Sequence, residues 1–362
     1  AGSRDRGGDR GRRLMADAEI KAQLTKSAAA EASKNARAYW MRIAIAIVAV
    51  VVVAVVINMG AHGSFLEPSN IVRVLRQITY NCILGVGQTF VIITAGIDLS
   101  VGSLVSLTGV VMALFANSLH IGGFPLIVLT LLVGCAVGGF AGWVNAVPVV
   151  KLNLPPFITT LAMMLMARGL SFKISHGRPI PLNSTDFTNT GIGYFLNLHS
   201  ILGLPGIPIP IVWMIVIVVV CSILLMRTRF GRYVFAIGGN EEAARLAGVN
   251  VTRTKTLVYV ISGVSAAVVG FLYMALFSSG SPQTGNGFEL QAIAAVVVGG
   301  SSLMGGRGSI VGTFFGAFLI GILYNVMNLL NIESYTQDVV LGVVIVLAVV
   351  LDELRKRYLR RA

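Results

Sequence analysis

An all-α integral membrane protein of about ten transmembrane helices, some of them broken or re-entrant, is the fold class this sequence predicts. Three observations carry that expectation. Of 362 residues, 55% are hydrophobic and only 12% are charged, with a mean hydropathy of +0.82. A soluble domain carries about 25% charged residues, so the chain lacks the polar surface to remain in water. The apolar residues also form long unbroken runs, which favours helices over the alternating pattern of a membrane barrel. Finally, the basic residues behind the net charge of +13 gather at both ends and in one central loop, the placement expected beside anionic lipid.

Along the chain, residues 1–38 are polar, basic and Gly/Arg-rich at their start, and read as disordered or partly helical. A membrane-spanning domain follows over 39–352, and 353–362 form a basic cytoplasmic tail. Crossing a hydrocarbon core of about 30 Å takes about twenty apolar residues. Ten runs approach this: 41–58, 75–95, 99–117, 124–147, 156–174, 209–226, 256–277, 289–304, 309–330 and 337–351. The eighth is short and ends in glycines, as a re-entrant half-helix lining a cavity would. With the N-terminus inside, the ten basic residues up to Arg42, those of the loop 227–255 and those of the tail all fall on the cytoplasmic side. That balance requires an even number of spans with both termini cytoplasmic. The loop 175–208 is the one long segment outside.

Several functions lose their support on inspection. No phosphate loop is present, since Gly305-Gly-Arg-Gly-Ser309 has neither its spacing nor its lysine, and no hydrolase or zinc motif appears. The chain is therefore not expected to be an enzyme or to hydrolyse ATP. The four histidines are scattered through outside loops, and Cys82, Cys135 and Cys221 lie within apolar runs without metal-ligand spacing, so no metal site is expected. Nucleic-acid binding has no motif to support it.

Two polar features remain. Asp98 is the one carboxylate set clearly among apolar runs, preceding Leu-Ser-Val-Gly-Ser, where it either caps a helix N-terminus or handles a proton or substrate. Uncharged groups within the spans, namely Asn81, Gln88, Thr89, Asn145, Gln291, Asn325 and Asn328, either line a solute path or bind helix to helix. Two Gly/Ser-rich breaks, at 96–104 and 299–310, hint at an internal repeat, although close helix packing accounts for most of the chain's 41 glycines.

The central loop is the most informative segment. Asn240 suits an N-cap, Glu241 and Glu242 a first turn, and Ala243, Ala244, Leu246 and Ala247 a helix that Gly248 stops. Two turns are too short to stand alone, so a helix of this kind is suited to a partner's groove. The alternative is a passive surface helix.

Glu242-Ala-Ala-Arg-Leu-Ala-Gly248 resembles the E-A-A-x-x-x-G pattern of ABC importer permeases, whose loop seats a coupling helix in an ATPase subunit. Four further stretches resemble the ribose-type branch of sugar permeases: Thr94-Ala-Gly-Ile-Asp-Leu-Ser-Val-Gly-Ser-Leu104, Arg229-Phe-Gly-Arg-Tyr233 with Ala236-Ile-Gly-Gly-Asn-Glu241, and the runs 289–300 and 302–313. The resemblance covers about 70–351. It implies a homodimer of this chain, ABC ATPase subunits inside that hold ATP and Mg, and a soluble sugar-binding protein outside. This chain would bind no cofactor. It also implies ATPase contacts from Asn240, Glu241, Glu242 and Arg245, burial of Ala243, Ala244 and Ala247 against the partner, and an exit turn at Gly248. The rival to this reading is an ion-coupled secondary transporter of a neutral solute.

Overall fold

The computed structural model describes residues 67–196 and 207–361. The expected N-terminal segment and the first expected span, 41–58, lie outside the described residues. Helices dominate the rest. α1 runs Pro68–Ile93, α2 Val101–Ser118, α3 Gly123–Lys151, α4 Pro156–Ile174, α5 Thr188–Ile192 and α6 Ile209–Arg227. α7 (Arg229–Gly239), α8 (Glu241–Leu246) and α9 (Val251–Phe277) follow, then α10 (Phe288–Val298), α11 (Ile310–Leu329) and α12 (Ser334–Arg361).

Six of these helices, α2, α3, α4, α6, α9 and α11, are long and apolar enough to cross a membrane, which defines a multi-span membrane protein. α1 is 26 residues long, but Asn81, Gln88 and Thr89 dilute its apolar run. Nine of the ten expected spans coincide with a helix, although the expected eighth span is cut short. α10 holds only eleven residues, about 16 Å of rise, and Gly299 and Gly300 end it well before Met304. α12 continues as helix through most of the expected tail.

The helices sort into centre and periphery. Between 61 and 72% of the spanning stretches of α2, α9 and α11 is buried, against 22–28% for α3, α4 and α6. Those outer helices expose Leu132, Phe140, Leu165 and Val220, apolar side chains that water would penalise and a lipid tail would not. α1 belongs to the centre, and all but its first turns are buried.

Small residues set how closely the centre packs. α3 and α9 cross antiparallel, with Gly138 against Gly263 and Gly142 against Tyr259. A Cβ at either α3 glycine would collide with a backbone carbonyl of α9. This is the small-xxx-small contact that substitutes for a hydrophobic drive inside lipid.

Three connections matter for function. The segment 94–100, between α1 and α2, and the segment 299–309, between α10 and α11, are non-helical and meet where Gly305 packs on Ala95 and the Gly306 N–H donates to the carbonyl of Ile93, the last residue of α1, at 2.9 Å. After α9, β4 (Ser279–Gly280) pairs antiparallel with β1 (Ile180–Pro181). The chain then runs back along α2, with Gly280 against Gly109 and Gly285 against Gly102, before α10 begins. β2 (Tyr194–Leu196) and β3 (Ile207–Pro208) pair at the start of α6.

Candidate coupling site and polar interior

α7 and α8 form the core of the 227–255 loop. Thr228 caps α7, accepting from the Gly231 N–H at 3.3 Å, and Asn240 caps α8, accepting from the Ala243 N–H at 2.9 Å. Each side-chain oxygen satisfies one amide that a helix start leaves without a partner. α8 closes in a Schellman turn: the Val249 N–H reaches the Ala244 carbonyl and the Gly248 N–H the Arg245 carbonyl, each at 3.0 Å. Gly248 makes this possible at φ +84°, a left-handed conformation that costs a residue with a Cβ about 1–2 kcal/mol.

The way α8 is held decides which of its residues are free. Ala244 packs with Ile237 of α7, Val251 of α9 and Val249, and is 5% exposed. Glu241 accepts from Arg245 at 3.2 Å and from Lys255 at 2.5 Å, bracing α8 to the start of α9. The expectation that Ala244 buries against a partner is therefore corrected, because its own chain already covers it. Glu241 is likewise engaged internally. Glu242, Ala243, Arg245, Ala247 and Gly248 remain exposed, together with Leu246, at 85% the most open large apolar side chain of the loop. Sequence reasoning missed Leu246 as a surface residue. Its large apolar side chain was the available signal, but only the seating of α8 on Ile237 shows which face turns outward.

α7, not foreseen as a helix, connects this site to the spans. Its Val234 and Ile237 are buried, its Phe230 ring lies 6.0 Å from that of Phe90, and Gly238 is packed against the Ile93 carbonyl and the Gly306 amide. It thus rests on both non-helical breaks at once.

Deeper in, the polar residues separate by role. Asp98 is fully buried: Oδ1 accepts from the Ser100 N–H at 2.9 Å and its hydroxyl at 2.6 Å, and Oδ2 from the Ser262 hydroxyl of α9 at 2.7 Å. Asn145 of α3 donates to the Ser100 hydroxyl at 2.9 Å, and Thr160 of α4 donates to the Ile97 carbonyl at 3.1 Å. Capping of α2 by Asp98 is not observed. The carboxylate turns back on the N-cap residue itself and ties the break to α9. Thr89 bonds Thr313 at 2.6 Å, Asn325 and Asn70 exchange both amide bonds at 2.8 and 3.0 Å, and Gln337 donates to Asn328 at 2.8 Å. These side chains hold helix to helix. Asn81 and Gln88, seven residues apart on one face of α1, are buried with amide atoms that have no hydrogen-bond partner. Gln291 is half-buried on α10. Of the three, Asn81 and Gln88 keep polar groups available inside the bundle. Among the described residues no cluster suited to a metal ion occurs.

A many-span helical body with polar side chains inside and a braced loop stem has the frame of a membrane permease. Residues 70–349 match the family described as branched-chain amino acid transport system / permease component, and the chain belongs to that family. It is 43% identical to the ribose import permease protein RbsC of Haemophilus influenzae, over 80% of this chain and 86% of that one, and equally so to RbsC of Bacillus subtilis. The xylose transport system permease protein XylH of Escherichia coli K12 is 35% identical over 82% of this chain and 87% of its own length. No solved structure matches the chain.

Proposed function

We propose that this chain is the membrane-spanning permease subunit of an ATP-binding-cassette sugar importer, carrying a monosaccharide of ribose or xylose type across the bacterial inner membrane. The observation that carries the reading is the 43% identity to ribose import permeases across 80% of the chain. The xylose relative widens the sugar class without changing the reaction. The interior is mostly uncharged, with the Asp98 carboxylate tied to Ser100 and Ser262, and this suits such cargo, since a neutral polyhydroxy solute needs hydrogen-bonding groups along its path and no buried counter-charge.

In this reading two copies of the chain frame the path within lipid, with both termini in the cytoplasm and the basic loops against anionic headgroups. A soluble sugar-binding protein delivers cargo from outside. ATP and Mg2+ belong to a separate ATPase subunit, and this chain binds no cofactor of its own. The ATPase grips the exposed face of α8 through Ala243, Leu246, Ala247 and Gly248, with Glu242 and Arg245 making charged contacts at its edge. The internal brace through Glu241 and Ala244 keeps α8 rigid against α7 and α9, so displacement of the stem is passed to the breaks at 94–100 and 299–309. Alternating access follows when those two segments shift together.

Reconstitution in proteoliposomes tests the proposal. Ribose or xylose uptake is expected only when the permease, its ATPase, the loaded binding protein and ATP are all present. Uptake that persists without nucleotide and collapses with an ion gradient assigns the chain to ion-coupled transport instead.

A further inference from the structure

Above α10, on the side where Pro179 of the long loop lies, a cavity of about 530 Å3 opens between the end of α9 and the segment 279–288. That volume falls in the range of small-molecule sites. One wall is aromatic: Tyr273 lies 5.8 Å from Phe277, stacked at 26°, and 5.2 Å from Phe288. Phe277 is 63% exposed. The returning segment completes the lining with Ser281, Gln283 and Asn286. The Ser281 hydroxyl donates to the Gln283 amide oxygen at 2.8 Å, which restrains that amide at the cavity wall. Asn286 is exposed on the same segment. No charged side chain lines the space. The segment itself is held from behind, where Arg168 of α4 donates to the carbonyls of Pro282 and Thr284, each at 2.9 Å.

An aromatic face beside side-chain amides, with no charged side chain lining the space, matches one kind of solute: a ring with C–H groups on its flat side and hydroxyls at its edge. We propose that this cavity is a weak binding site for a neutral monosaccharide on the permease itself, where the ring packs on Phe277 and Tyr273 and its hydroxyls bond to Gln283 and Asn286. The proposal rests on the reading of the chain as a sugar permease and adds to it a place where cargo pauses after leaving the binding protein. Arg168 acts here as a positioning residue, holding the amide-bearing wall at its distance from the aromatic one.

Saturation-transfer NMR on the purified permease–ATPase complex, with D-ribose as probe and no binding protein, tests the site directly. Transfer to ribose is expected in the wild type and is expected to fall about tenfold, the loss of roughly one hydrogen bond or ring contact, in Phe277→Ala and Asn286→Ala. Ribose transported per ATP hydrolysed is expected to fall with it. Ribose signals absent from the wild type, or unchanged in both variants, overturn the site even if uptake is normal. Signals present and lost in the variants sustain it even if the intact complex fails to import ribose, so the two readings fail separately. Loss of binding-protein affinity in the variants with ribose transfer unchanged reassigns the surface to protein docking and likewise overturns the site.

Discussion

Asp98 occupies a position where a charge on an isolated helix costs about 2.5–3.5 kcal/mol on insertion scales. Three hydrogen-bond donors offset that cost, and among the described residues no cation pairs with the carboxylate. Its geometry therefore asks for two acceptor directions more than for charge. In Asp98→Asn the oxygen can keep both Ser100 bonds while the new NH2 group donates to a Ser262 hydroxyl that turns round, so thermal stability of the purified protein is expected to stay within about 1 kcal/mol. Asp98→Leu leaves the donors buried and unpaired, about 1–3 kcal/mol each, and is expected to lower the melting temperature sharply. Gly248 illustrates the opposite case, because nothing lies within 4 Å of a Cβ built there and only its φ of +84° constrains it. Gly248→Asn, a residue that tolerates the left-handed region, is expected to keep most ATP-driven uptake, whereas Gly248→Val is expected to lose it with membrane abundance on immunoblots unchanged. The turn residue was legible in the sequence because glycine after an alanine-rich helix has a local meaning. The Asp98 brace was not, since its partner Ser262 lies 164 positions away.

At the scale of elements, α8 is a helix of six residues that only its surroundings make stable. Its cap, first turn and stop were all readable locally from Asn240, Glu241, Glu242 and Gly248. Its orientation was not. Which alanine faces inward depends on where α7 and α9 lie, and α7 itself escaped notice because its Gly238 and Gly239 argue against a helix on propensity alone. Gly238 is there because the helix end must approach the Ile93 carbonyl closely. Span ends show the same division: Pro156 fixed the start of α4, whereas α9 begins at Val251 rather than 256 because Asn250 caps it and its polar first turn stays helical. The exposed face of α8 leads to a direct expectation. Leu246→Asp is expected to weaken ATPase co-purification with the permease about tenfold or more, the loss of one buried leucine contact, without disturbing the Ala244 side of the helix.

For the whole molecule, burial separates an inner group of helices from an outer one that presents leucine, valine and phenylalanine to lipid. Composition alone foretold a membrane protein, and the long runs foretold where most helices lie. What composition could not convey is that the amides within the spans mostly serve cohesion: Asn70 with Asn325, and Asn328 with Gln337, are matched pairs. Pairing is a property of packed neighbours, invisible in a single run of letters. The charge asymmetry makes a prediction at this scale as well. A protease-sensitive tag placed after Ala362 is expected to be cut in inside-out vesicles and protected in right-side-out ones, and the reverse result would turn the proposed topology over.

The hydrogen bond from Gly306 to the Ile93 carbonyl, with Gly238 pressed on both, has a mechanical meaning. Two non-helical breaks from distant parts of the chain meet at one contact, and the end of α7 rests on it. In the proposed transport cycle a push through α7 reaches both breaks by the same contact, so a carrier open along one flank only is not expected.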